Sequence, residues 1–201
     1  MDNPYWYSEK HSHVIDLAAI RLNAYHLMNI FLASQALASE HRLDDPENNL
    51  ANLHWEFYRT EITRLLINIA INTRIFDDQM KSSDCRDKYL IHCNRVDTGN
   101  YIGIFQENKK NQERFKVREA CNKIIHAETV QPLYERGDFP HYSLDEIDDS
   151  DEDYEWWYLT GEIEMTGLRT FKGETVNWFV NLFVPPYIET VIDLISFKAD
   201  E

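Results

Sequence analysis

A chain of 201 residues with 43% hydrophobic and 13% aromatic side chains has material for one packed core, and with no run of about 18 apolar residues it offers no transmembrane helix. Its net charge of −15 is unevenly spread: Asp138 to Glu155 holds nine acidic residues and no Lys or Arg, leaving −6 for the other 183. Such a segment repels phosphate and argues against strong constitutive binding to duplex DNA, while a confined basic groove stays open.

The opening Met1-Asp2-Asn3-Pro4-Tyr5-Trp6 has no basic stretch followed by an apolar one, so no secretory signal is expected. From His13 to about Ser39, Val14, Leu17, Ala24, Met28, Phe31 and Leu32 recur at helical spacing, without Pro or Gly. The polar stretch His41 to Asn49, with Asp44-Asp45-Pro46, ends that helix. A second helix is predicted from about Leu50 to Gln79, with Trp55, Tyr58, Ile62, Leu65, Leu66, Ile69 and Phe76 as its apolar stripe. Two long helices joined by a short polar link suggest an antiparallel pair.

Asp84 is placed to cap a short helix through His92, and Gly99 to Gly103 reads as a turn or irregular segment. A further helix is predicted from about Gln112 to Gln131, stopped by Pro132. Beyond the acidic segment the period changes to two. Trp157, Leu159, Gly161, Ile163 and Met165 alternate with Tyr158, Thr160, Glu162, Glu164 and Thr166; Val176, Trp178, Val180 and Leu182 then alternate with polar neighbours. These are two strands of an antiparallel hairpin, and Pro185-Pro186 opens a closing amphipathic helix. An isolated hairpin is marginal in water, so its apolar face must pack on the helices. The expected fold is α+β, mainly α: an antiparallel helical bundle over residues 1–136, an acidic linker over 137–155, and a β-hairpin plus helix over 156–201, together forming one structural unit.

Three cysteines, Cys85, Cys93 and Cys121, form no CxxC pair. They indicate neither a disulfide framework nor a zinc knuckle, and they fit a reducing cytoplasm. His11 and His13 lack an acidic or thiol cluster to complete a metal site, and the acidic run lacks the central Gly of a calcium loop. No metal and no cofactor is therefore expected. Neighbours on a helix point apart, which disfavours His92-Cys93 as a nucleophile pair, and Cys121 is expected to be an inert buried thiol. The common nucleotide-binding and hydrolase motifs are missing.

The stretch from Arg118 to Ala127 is the most informative. Steps of four set Arg118, Asn122 and His126 along one flank of a helix, beside a buried stripe of Val117, Cys121 and Ile124. An Arg, an amide and an imidazole so aligned could engage a phosphodiester, with Arg on the phosphate, Asn orienting the ring and His moving a proton. A His near a helix end also suits capping, and an Asn one turn earlier can tie the helix to a loop. Arg64 and Glu61 on the second helix could lie opposite, as binding groups or as an ion pair.

In Asn122 and His126 this helix resembles the HEPN superfamily, small helical domains, often dimeric, common in toxin–antitoxin and phage-defence systems. Their pattern is an Arg, four to six residues, then a His, with a polar residue after the Arg. Here Cys121 precedes Asn122, and seven residues separate Arg118 from His126, one more than the pattern. The resemblance covers the helical span from His13 to Gln131 and implies a metal-independent ribonuclease, with His126 as acid–base group and Arg118 as charge stabiliser. The local string also resembles one found in bacterial proteins. Against it stands a non-catalytic interaction or dimerisation module, the favoured expectation, with a homo-oligomer or protein partner and with RNA or a nucleotide as the alternative ligand.

Overall fold

The computed structural model describes residues 15–40, 48–107, 113–137, 156–171 and 174–198. In chain order the elements are α1 (Leu17–Glu40), α2 (Asn49–Lys81), α3 (Arg86–Gly99), β1 (Gly103–Glu107), β2 (Glu113–Arg114), α4 (Val117–Ile125), β3 (Thr129–Gly137), β4 (Trp156–Phe171), β5 (Glu174–Phe183) and α5 (Val184–Ile195). The fold is mixed α+β, with helices outnumbering strands in length. No described helix is long and apolar enough to cross a membrane.

Local chemistry explains the helix starts. The Asp16 carboxylate accepts the Ala19 N–H at 3.0 Å ahead of α1. Asn48 caps α2 by accepting from Leu50 and Ala51 N–H groups at 3.0 and 3.1 Å. Pro185 and Pro186 stand in the first turn of α5, where no N–H is needed.

All strands among the described residues join one antiparallel sheet in the order β2-β1-β5-β4-β3. β4 and β5 pair from Glu162↔Phe183 to Phe171↔Glu174. Leu159, Ile163 and Met165 of β4 and Trp178, Val180 and Leu182 of β5 are buried. They share one core with Ile20, Ala24, Leu27 and Phe31 of α1, Ile62, Leu65 and Ile69 of α2, and Tyr187, Val191 and Leu194 of α5. Burying one such side chain is worth about 1.5–3 kcal/mol, so this apolar face is the main source of cohesion. Between Pro132 and Tyr134 the β3–β4 register shifts, and β4 spends extra residues there. Gly161 supplies the φ of +87° that this bulge requires. Just beside it, the Leu159 N–H donates to Ser34 Oγ of α1 at 3.0 Å, tying helix to sheet.

Several sequence expectations need correction. The fourth helix is much shorter than Gln112 to Gln131: Glu113 and Arg114 pair with β1, and after Ile125 the chain turns into β3. Pro132 does not stop a helix; it lies within β3, an edge strand, where a missing N–H is tolerated. The third helix runs past His92 to Gly99, and the position before it is Cys85, not Asp84. The segment after Gly99 carries strand β1. Leu32 and Trp55, placed in the apolar stripes, are exposed. The sheet takes β1, β2 and β3 from before residue 138 and β4 and β5 from after it, so helical and sheet elements interleave across the division at 136–137. The acidic stretch 138–155 lies outside the described residues.

Candidate functional site

α4 is a nine-residue helix whose first N–H, on Val117, donates to the Asp97 carboxylate of α3 at 3.1 Å. Its buried stripe is Val117, Ala120, Cys121 and Ile124, which leaves Arg118 and Asn122 half-buried on the flank. His126 is one residue beyond the helix, as its C-cap; its main-chain N–H donates to the Asn122 carbonyl at 3.1 Å, and its side chain is exposed. The rise from Arg118 to His126 is about 12 Å at 1.5 Å per residue.

Arg118 turns away from His126 and towards α2. Its guanidinium donates to Asp77 and, at 2.6 Å, to Asp78. Burial works against the charged guanidinium, but the hydrogen bonds to Asp78 and Asp77 outweigh it and raise its pKa. The Asp77 side chain is only 4% exposed, and it also accepts from Lys81 Nζ at 2.8 Å and from the Tyr89 hydroxyl at 3.1 Å. Burial, with Asp77 alongside, raises the Tyr89 pKa far above that of a free phenol. Arg74 completes the group, 3.4 Å from Asp78. Asp77 thus gathers α2, α3 and α4 around one buried carboxylate, an arrangement that locks helix positions and presents no free cation to a phosphate. Sequence reasoning missed Asp77. Its signal was present: it falls on the apolar stripe one step past Thr73 and Phe76, and an acid there needs a counter-charge.

Glu61 and Arg64 do not meet α4 groups. Arg64 Nε lies 3.1 and 3.0 Å from the two Glu61 carboxylate oxygens and its Nη2 2.7 Å from one of them, an exposed pair within α2. That pair belongs to an outward face with its own pattern. Leu50, Leu53, Phe57, Thr60, Arg64, Ile67 and Ile71 follow one another in steps of three and four, and all are exposed, Leu53 by 56% and Ile71 by 39%. At 100° per residue this stripe is diametrically opposite the core stripe of Tyr58, Ile62, Leu65, Ile69 and Thr73. On α1, Leu22, Tyr25 and Leu32 are exposed in the same rhythm, opposite Ile20, Ala24, Leu27 and Phe31. Where the two helices adjoin, Leu37, Leu50, Leu53, His54 and Phe57 line a groove of about 400 Å³. Burial lowers the His54 pKa there. A surface helix is ordinarily polar on its outer side; α2 carries five large apolar residues there, interrupted by Thr60 and Arg64.

Among the described residues, the remaining candidates make contacts within the fold. Cys121 is fully buried, its Sγ 3.6 Å from the Tyr187 hydroxyl, and burial pushes its thiol up to about 12. His92 Nε2 lies 2.9 Å from the Asp193 carbonyl and its Nδ1 3.2 Å from Arg95, so the ring links α3 to α5. Cys93 is half-buried, and burial raises its pKa. His11 and His13 lie outside the described residues. Comparison of the chain with family models, with curated proteins and with solved structures finds no match.

Proposed function

We propose that this chain is a non-catalytic interaction module, working in a reducing cytoplasmic setting, that docks a protein partner through the outward face of α1 and α2. One observation carries the reading: α2 bears a second apolar stripe, Leu50, Leu53, Phe57, Ile67 and Ile71, on the side away from the core. Exposed apolar surface of that extent and regularity costs solubility unless something covers it. The engagement of Arg118 by Asp77 and Asp78 supports the non-catalytic half of the proposal.

A second reading is a metal-independent ribonuclease, or an RNA- or nucleotide-binding protein, of HEPN type. It is favoured by the exposed imidazole of His126 following Asn122 at the end of α4. The test separating the two is incubation of the full chain with RNA in the presence of a chelator at low salt. The proposal expects intact RNA. Cleavage that disappears in His126→Ala, with an unchanged melting curve, overturns it.

A further inference from the structure

We infer that the partner on this face is a second copy of the same chain, docked with its α2 antiparallel to the first about a two-fold axis passing near Thr60 and Glu61. The inference rests on the reading of the α1–α2 face as a docking surface and names its occupant.

Period comes first. Steps of three and four sustained from Leu50 to Ile71 give an average repeat of 3.5, the repeat of a seam that coils around another helix rather than one that rests on a sheet. Order along the stripe comes second. Its ends are apolar, Leu50 and Leu53 at one and Ile67 and Ile71 at the other, and its middle holds Phe57, Thr60 and Arg64. Reversed upon itself about the Thr60–Glu61 midpoint, the stripe sets Leu50 level with Ile71 and Phe57 level with Arg64, and brings Leu53 to within one residue of Ile67 and Thr60 to within one residue of its own copy. Each guanidinium then covers an aromatic ring, a favourable pairing. A parallel arrangement would instead place Arg64 against Arg64, two like charges at a seam, with Glu61 of each helix the nearest relief. Self-complementarity under reversal is what an isologous two-fold interface demands.

Area comes third. Leu22, Tyr25 and Leu32 of α1 with Leu50, Leu53, Phe57, Ile67 and Ile71 of α2 leave on the order of 800 Å² accessible, one partner's share of a standard interface. A foreign helix laid on α2 alone would cover only part of this; a second α1–α2 pair brings a matching surface of equal extent.

Two measurements on the full chain test the inference. Light scattering after gel filtration, over a micromolar concentration series, is expected to give a dimer, and Phe57→Glu with Ile67→Glu a monomer of unchanged helicity and melting temperature. Treatment with a short bismaleimide is expected to link Thr60→Cys chains into dimers above the background of the unaltered chain. Leu50→Cys chains should stay unlinked, because reversal holds those positions about 30 Å apart along the axis. Equal linking at both positions means parallel docking and overturns the geometry. A monomer at all concentrations overturns the second copy while leaving the docking face for another protein. Loss of folding in the doubly substituted chain overturns both readings, since the stripe would then belong to the chain's own interior.

Discussion

Arg118 of α4 is ion-paired with Asp77 of α2, across 41 positions of sequence, and the acid is the more deeply buried of the two: 4% exposed against 33% for the guanidinium. That asymmetry sets the stability ranking of the pair. Asp77→Ala removes the common partner of Arg118, Lys81 and the buried Tyr89 hydroxyl, and leaves Arg118 with Asp78 alone. The expected loss is about 3 kcal/mol, the lower end for breaking a buried pair, because both cations still reach water. Arg118→Ala leaves Asp77 with Lys81 and Tyr89, so about 1 kcal/mol is expected. Urea unfolding of both variants checks the order, and an Arg118 loss exceeding that of Asp77 would refute it.

Asp97 gives a pH dependence of opposite sign to an ordinary paired carboxylate. Burial raises its pKa, outweighing the Val117 N–H and the Lys116 ammonium, which lower it. The folded chain therefore holds this proton more tightly than the unfolded one. The contribution to stability is complete below the ordinary carboxylate value and is lost as pH rises through the raised folded value. At neutral pH the charged form is a cost, so Asp97→Asn should melt higher than the unaltered chain there. The margin should shrink on acidification towards about pH 4. Thermal melts at a series of pH values read this directly; a margin that grows in acid would contradict it.

Gly167 of β4 has no room for a methyl group. A Cβ there would come within 2.3 Å of the Trp178 ring and 3.0 Å of the His126 carbonyl. Trp178 is buried, and the Lys123 ammonium stands 4.7 Å from its ring centre and 4.3 Å from that of Phe105. Gly167→Ala is expected to cost about 1–3 kcal/mol through this overpacking. A red shift of the tryptophan emission should accompany the loss as the ring is displaced.

The thiols should differ sharply. Cys121 is fully buried with its pKa pushed up to about 12, whereas Cys85 and Cys93 are partly accessible. Thiolate is the reacting species, so iodoacetamide at mildly alkaline pH should leave Cys121 unmodified until the chain unfolds. Mass spectrometry of peptides after timed alkylation measures it, and early modification of Cys121 would show that the α4–α5 contact opens.

The helices of greatest length were legible because their core positions repeat at 3.6 without interruption: Tyr58, Ile62, Leu65, Leu66, Ile69 and Phe76 were all read as buried and are. β4 was legible through its alternation from Leu159 to Met165, although Trp157, which opens that pattern on the apolar side, is exposed. β3 was not, because Pro132 falls in an otherwise alternating run of Val130, Pro132 and Tyr134, and a proline after a helical pattern reads first as its stop. β1 has only five residues, too few for either period to declare itself. Among the site residues, alignment of Arg118, Asn122 and His126 followed from helical geometry, but the side-chain direction of Arg118 did not. It is decided by Asp77 and Asp78, and no local pattern reports a partner so remote. Leu32 and Trp55 read as core in the sequence because hydrophobicity alone does not say which of two apolar faces a helix turns inward.

The sheet order has a consequence for synthesis. β4 and β5 leave the ribosome after the other described strands, yet they stand between β1 and β3. Nascent β1 and β3 therefore wait with open edges, and α1, α2 and α4 wait without the sheet face and α5 that complete their core, until the final quarter of the chain emerges. Long-range pairings of this kind fold slowly. A ribosome stalled just before Trp156 would hold a chain that no rearrangement of its own parts could close, and such arrested chains should be captured by chaperones that full-length chains escape.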